Sequence, residues 1–175
     1  MLFLIQALHS SLLSRRIYTT VRDTPEAMFR SLAVVMVSGI SFGLGVRAAP
    51  IPNSEVSPEF QMMLALSTML IGWMIWTTVV YVLGSFLLGG KASHRDLMRH
   101  LGLVYGPGIL LVFYGLPSVG AWLTWIVNIW ILAAGVVAVS EAQGQGLMRT
   151  ISPTVIGWIL GHIILQAFVF GPNSA

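Results

Sequence analysis

The chain contains no cysteine and carries very little charge. The absence of cysteine excludes disulfide bonds, thiolate metal sites, iron–sulfur clusters and cysteine nucleophiles. Only 9% of the 175 residues are charged and 56% are hydrophobic, whereas a soluble domain carries roughly 25% charged residues. So few charges cannot cover a surface that faces water. We therefore expect lipid to cover much of the chain, which forms one compact membrane domain.

Apolar runs follow one another along the sequence and predict transmembrane helices. Three of them are close to or above the roughly 20 residues that a bilayer core requires, and the third and fifth are shorter. The runs occupy residues 31–49, 62–88, 101–116, 121–139 and 155–170. We predict an all-α membrane protein with five transmembrane helices, which lie within residues 24–175.

A Ser or Thr followed by proline marks the start of three of these helices. The hydroxyl caps the helix, and proline suits the first helical position, where its missing N–H costs nothing. The signals are Thr24-Pro25-Glu26, Ser57-Pro58-Glu59 and Ser152-Pro153-Thr154. Gly89-Gly90 ends the second helix. Pro107 lies within two turns of the start of the third helix, where proline is tolerated, so we expect that helix to continue through it.

Positive charges are distributed unequally between the two sides of the predicted helices. With the N-terminus in the cytoplasm, eight of the nine Lys and Arg residues fall in residues 1–30, 89–100 and 140–152, and only Arg47 falls outside. Cytoplasmic loops are enriched in Lys and Arg because these charges resist translocation. The sequence therefore predicts a cytoplasmic N-terminus and a C-terminus on the opposite side.

Residues 1–23 form a separate N-terminal segment that is cytoplasmic or interfacial. Its apolar stretch precedes Arg15 and Arg16, which is the reverse of a signal peptide, so we expect it to be retained. One helical face carries Ile5, Leu8 and Leu12. We predict a short amphipathic helix on the cytoplasmic leaflet, with both arginines at the lipid headgroups. A tail packed on a neighbouring protein fits the same pattern.

The polar loop after the second helix is rich in charged residues and histidines. We predict that Lys91, Arg95 and Arg99 bind lipid headgroups, since basic residues beside a transmembrane helix attract anionic lipids. Nucleic-acid binding is not expected, because no run of five or six Lys and Arg residues occurs. Metal ligation by His94, Asp96 and His100 is the alternative. His94 and Asp96 are two residues apart, so they do not face each other on a helix as a catalytic pair would.

Glycines spaced by four residues predict close contacts between helices. Such pairs let helix backbones approach where no hydrophobic effect drives association. The pairs are Gly39 and Gly43, Gly102 and Gly106, and Gly157 and Gly161. We interpret them as contacts within the bundle, with docking of a partner as the alternative.

The predicted helices carry no Asp, Glu, Lys or Arg near their centres, which leaves few residues for chemistry. Ionisable groups in the bilayer usually mark function; here the polar candidates are His162, Asn128 and Gln166. His162 beside Gly161 suits ligation of a single pigment metal, but a hydrogen bond to a helix carbonyl or to Asn128 is the simpler interpretation. No catalytic constellation is present, and transport is not expected without a buried carboxylate.

Residues 101–142 read LGLVYGPGILLVFYGLPSVGAWLTWIVNIWILAAGVVAVSEA. Pro107, the Leu116-Pro117 break, the turn at Gly120 and Trp130 make this stretch similar to the bacterial form of the Yip (Ypt-interacting protein) domain family. The resemblance implies five helices, a cytoplasmic N-terminus and the bacterial cytoplasmic membrane, with residues 24–175 as the Yip-like domain.

Eukaryotic Yip proteins bind prenylated small GTPases through a long cytosolic N-terminus with an Asp-Leu-Tyr-Gly-Pro motif. This chain has only about thirty residues there and lacks the motif. Its sole Tyr-Gly-Pro, at residues 105–107, lies inside the third predicted helix, so GTPase binding is not implied for it.

These observations predict a non-catalytic membrane scaffold, an accessory subunit or membrane organiser that packs against lipids and other membrane proteins. It needs no cofactor. A pigment or lipid cofactor bound at His162 is the alternative, and a small transporter or channel is the third hypothesis.

Overall fold

The computed structural model describes residues 26–49 and 57–164 of the chain. Within these two ranges the backbone forms helices and connecting turns, with no strand, which confirms the all-α prediction for this part of the chain. The predicted N-terminal helix, including Arg15 and Arg16, and Gln166 lie outside the described residues.

In the described part of the chain, five α-helices are joined or extended by shorter helical segments. The α-helices are α1 (Ala27–Ala48), α2 (Pro58–Val80), α3 (His94–Leu103), α4 (Gly120–Gln143) and α5 (Leu147–Trp158). A π-helix, Tyr81–Leu87, continues α2, and a second π-helix, Ile159–Ile164, continues α5. A 3-10 helix, Gly106–Gly115, follows α3 and is called the 3-10 segment below.

Three of these helices are long and apolar enough to cross a membrane: Ala27–Ala48, Pro58–Leu87 and Gly120–Gln143. α3 and the 3-10 segment make a fourth crossing if they are taken together, across a bend of 50°. The chain therefore has the helices of an integral membrane protein, with three or four candidate spans in its described part. The fifth predicted run is described only as far as residue 164, and the fifth span stays a prediction.

The predicted boundaries of the second helix are confirmed. Ser57 caps α2 by accepting a hydrogen bond from the Phe60 amide at 3.3 Å, and Pro58 takes the first helical position. The extended helix ends at Leu87, and Gly89 follows with a φ of 70°, a left-handed conformation that glycine adopts without steric strain.

The predicted start at Pro153 is wrong, and the one at Thr24-Pro25 lies outside the described residues. α1 begins at Ala27, and its cap residue Glu26 makes no side-chain capping hydrogen bond. Pro153 lies inside α5, which already begins at Leu147, six residues earlier. A proline inside a helix removes one backbone hydrogen bond, and α5 continues past Pro153 to Trp158 despite that loss.

The third predicted helix is broken, which corrects the expectation that it continues through Pro107. α3 ends at Leu103, and the 3-10 segment begins at Gly106, so the break falls just before the proline. The residue before a proline is sterically disfavoured in the α conformation, which favours a helix end at this point. The Tyr105 carbonyl, left at the break, accepts hydrogen bonds from the Gly108 amide at 2.8 Å and the Ser38 hydroxyl at 2.6 Å.

α1 packs against α2 and against the broken third helix through small residues. Gly39 lies against Leu66 and Gly43 lies against Met62, so α1 and α2 run in opposite directions. Gly102 lies against Ser31, Gly108 against Ser38 and Gly115 against Ala48, so the third helix runs parallel to α1.

α2 also packs closely against α5, in the opposite direction. Gly72 meets the backbone of Gly161, and Gly157 meets the ring of Trp76. α1, the broken third helix and α5 therefore run in the same direction, and α2 runs in the opposite one. A chain that crosses a membrane repeatedly has this alternation.

Candidate functional site

His162 is buried at the centre of the contact between α5 and its neighbours. The residue is only 3% exposed and lies on the π-helix that continues α5. Its Nδ1 is 3.3 Å from the Trp158 carbonyl oxygen, and its Nε2 is 2.7 Å from the Tyr105 hydroxyl oxygen. A carbonyl only accepts, so we assign the proton to Nδ1, which donates to Trp158. Nε2 then accepts from Tyr105, and both ring nitrogens are engaged inside the chain.

Three aromatic rings enclose the imidazole. The Trp158 ring is stacked on it, with a distance of 5.7 Å between ring centroids and an angle of 17° between ring planes. The Tyr105 ring is also stacked on it, with a centroid distance of 5.6 Å and an interplanar angle of 29°. The Trp76 ring contacts it edge-on at 5.4 Å. A pigment metal binds a histidine through a nitrogen lone pair, and in this structure the lone pair of Nε2 is directed at the Tyr105 hydroxyl. Ligation would therefore require this hydrogen bond to break.

Trp76 anchors this aromatic cluster to two other helices. It is fully buried, and its indole N–H donates to the Thr154 carbonyl of α5 at 2.9 Å. Two glycines make room for the ring. A Cβ on Gly135 would lie 2.5 Å from the indole, and a Cβ on Gly157 would lie 2.8 Å from it.

Asn128 does not hydrogen-bond to His162, although the sequence allowed that pairing. Its side-chain amide donates to the Thr124 carbonyl one turn earlier in α4, at 2.9 Å. The actual partner, Tyr105, was not a candidate from the sequence. Its only signal was its position in the Tyr-Gly-Pro stretch, where the backbone breaks.

Most buried hydroxyl groups between the helices are hydrogen-bonded to backbone carbonyls. Ser31 donates to the Arg99 carbonyl at 2.5 Å, and Thr77 donates to the Trp73 carbonyl at 2.7 Å. The indole nitrogens of Trp73 and Trp158 find no hydrogen-bond partner within the described part of the chain. The side-chain oxygens of Gln143 and Gln145 are likewise buried there without a hydrogen-bond partner.

The predicted glycine pairs differ in their arrangement. Gly39 and Gly43 both face α2, and Gly157 and Gly161 also both face α2, so each of these pairs lies on one helical face. Gly102 and Gly106 are separated by the break, because Gly102 belongs to α3 and Gly106 begins the 3-10 segment. Their spacing of four residues therefore does not create a shared face.

The polar loop folds into a well-capped start of α3. The Ser93 hydroxyl accepts from the Asp96 amide at 3.2 Å, and the Asp96 carboxylate accepts from the Ser93 amide at 3.2 Å. Asp96 lies outside the predicted transmembrane runs. Burial of its carboxyl alone would raise its pKa, because burial disfavours the charged carboxylate. The hydrogen bonds from Ser93 and the charges of Arg99 and His100 outweigh that burial and hold its pKa below the ordinary value.

The predicted metal ligands of this loop point to separate partners. The His94 Nε2 is 3.3 Å from the Thr78 hydroxyl, and the His100 Nδ1 is 2.7 Å from the Asp96 carbonyl oxygen. Across residues 26–49 and 57–164, no three His, Asp or Glu side chains come together as a metal site.

The three predicted headgroup-binding residues of this loop have different environments. Lys91 and Arg95 are exposed. The side chain of Arg99 is only 12% exposed and lies 3.9 Å from the Asp96 carboxylate. Arg99 is thus largely buried beside α3, whereas Lys91 and Arg95 are the exposed ones of the three.

The described residues therefore contain a closed aromatic cluster around His162 and two exposed cations, Lys91 and Arg95, in the loop before and at the start of α3. Comparison of the chain with protein-family models, with curated proteins and with solved structures finds no match.

Proposed function

We propose that this chain is a non-catalytic integral membrane scaffold, an accessory subunit or membrane-organising protein that packs against other membrane proteins. The observation that supports this proposal most is that the polar site around His162 is closed. The buried imidazole of His162 is hydrogen-bonded on both nitrogens and enclosed by aromatic rings. With this imidazole closed off in the described part of the chain, the outer surface, which in a membrane meets lipids and other helices, is left to act.

The proposal includes five spans with a cytoplasmic N-terminus in the bacterial cytoplasmic membrane. The alternating directions of the packed helices support this threading. The charges support it too, because Arg47, the one basic residue on the outer side, lies 3.8 Å from Glu59 at that same end. Membership of the bacterial Yip family is part of the proposal and rests on the resemblance of residues 101–142.

Two alternatives are less well supported. A pigment site at His162 requires Nε2 to give up the Tyr105 hydroxyl, which is 2.7 Å away. A transporter or channel usually needs an ionisable group within its spans, and the sequence places none centrally. The broken third helix is the feature that favours transport, but the buried carbonyl at the break, that of Tyr105, already accepts a hydrogen bond from Ser38.

The scaffold proposal predicts the state of the protein after gentle extraction. In mild detergent we expect the chain to migrate with at least one other integral membrane protein, and the pure chain to show no absorption band in the visible range. Size-exclusion chromatography, mass spectrometry of the co-migrating chains and an absorption spectrum measure both.

Paired histidine variants supply the control. His162→Leu and His94→Leu remove the same group from the buried cluster and from the half-buried start of α3. A visible band that disappears only in His162→Leu would establish the pigment alternative. Migration of the wild-type chain as a lone monomer in every mild detergent would contradict the subunit proposal.

A further inference from the structure

The turn between α2 and α3 and the turn between α4 and α5 are hydrogen-bonded to each other. The Lys91 amide donates to the Gln143 carbonyl at 3.2 Å, and the Gln145 side-chain amide donates to the Leu88 carbonyl at 3.0 Å. Residues 86–95 and 143–149 therefore form one continuous surface, called the joined turns.

Each of the two joined turns carries exposed cations. These are Lys91, Arg95 and Arg149. Arg95 lies in the first turn of α3 and Arg149 in the first turn of α5, so both stand at the helix starts that follow the joined turns. No ion pair links any of the three cations to another residue in the ranges 26–49 and 57–164.

The basic residues in and beside the joined turns, Lys91, Arg95, Arg99 and Arg149, outnumber the acidic ones, Asp96 and Glu141. The Asp96 carboxylate is engaged by the Ser93 amide and hydroxyl and lies 3.9 Å from Arg99. Glu141 is half-buried on the last turn of α4. The joined turns consequently carry a net positive charge that faces outward.

Apolar side chains lie exposed beside these cations. Phe86 is 78% exposed and Leu87 is 63% exposed in the first turn, and Met148 is 86% exposed in the second. Cations mixed with exposed apolar side chains fit the boundary between headgroups and acyl chains better than they fit a free anion in water.

We propose that the joined turns bind one anionic phospholipid, with Lys91, Arg95 and Arg149 at its phosphate and the exposed apolar side chains against its acyl chains. The site differs from the headgroup contacts expected from the sequence. It includes Arg149 from the second turn and leaves out Arg99, which is engaged by Asp96. The inference deepens the lipid contact of the proposed function. The lipid site needs no protein partner, so the lipid proposal and the scaffold proposal can fail independently.

A lipid titration of matched charge variants tests the site. The full chain in an uncharged detergent is titrated with phosphatidylglycerol, and native mass spectrometry counts the bound lipid. K91Q/R149Q removes one cation from each turn, and R30Q/R47Q removes two cations that are already paired with Glu26 and Glu59. At about 1 kcal/mol per cation near a lipid surface, we expect K91Q/R149Q to bind about 30-fold more weakly. R30Q/R47Q should bind like the wild type.

Three results would overturn the proposal. They are equal binding by both double variants, equal binding of phosphatidylcholine to the wild type, and displacement of the lipid by inorganic phosphate at the same concentration. Circular dichroism of both variants checks that helix content is unchanged, and because the substituted side chains are exposed we expect no loss of folding.

Discussion

Replacing Trp76 by alanine is expected to lower the free energy of unfolding of the bundle by about 3 kcal/mol, the cost of a cavity of roughly 130 Å³ at about 24 cal/mol per Å³. The ring is fully buried, and it fills the space that Gly135 and Gly157 leave open. Its removal creates a cavity where four helices meet and leaves the imidazole of His162 without its edge-on contact. In a bilayer the lost term is packing, because the unfolded helices remain in lipid.

Trp122→Ala is the matched control for this prediction. Trp122 is 74% exposed on α4, so its removal leaves no internal cavity, and we expect a change within about 0.5 kcal/mol. Unfolding in mixed micelles with increasing denaturing detergent, followed by circular dichroism, measures both variants. Equal losses for the two tryptophans would show that Trp76 does not pack as described.

The second large effect is expected for Gly161→Ala, at about 1 to 3 kcal/mol of lost stability. A Cβ on Gly161 would collide with the backbone carbonyl of Gly72 and lie 3.3 Å from the Trp76 amide nitrogen. Backbone atoms cannot move aside as a flexible side chain can, so α5 must separate from α2. The displacement also moves His162, the next residue, away from Tyr105.

Gly146→Ala provides the comparison at an open position. A Cβ on Gly146 meets no atom within 4 Å, and the residue's φ of −65° suits alanine. Because Gly146 caps α5, a loss of a few tenths of a kcal/mol is expected. The same micelle titration reports both variants, and a loss at Gly161 no greater than at Gly146 would refute the close contact of α2 with α5.

Local sequence signals predicted the second helix best. Ser57 and Pro58 begin it and Gly89 follows its end, because capping and left-handed turns depend on neighbouring residues alone. The start of α5 was missed because the Ser-Pro signal at residues 152–153 looks the same within a helix as at its start. The helix had already begun at Leu147 after the left-handed Gly144.

The candidate site was only partly predictable for a physical reason. The sequence singled out His162 because a polar residue in an apolar run is conspicuous, and it singled out glycines by their spacing. It did not indicate Tyr105, which lies 57 residues away from His162. That contact depends on the break before Pro107 and on how α2, α5 and the broken helix pack, which no local pattern specifies.

Cysteine labelling from each side of the membrane tests the central claim, that the chain spans the bilayer as a bundle with the joined turns on its cytoplasmic side. The sequence has no cysteine, so each introduced thiol is the only one present. We predict that Lys91→Cys and Gly146→Cys react with an impermeant maleimide only when the cytoplasmic side is open. Val119→Cys, in the turn before α4, should react from the outside. Labelling of residues 91 and 146 from opposite sides, or of all three from one side, would contradict the account.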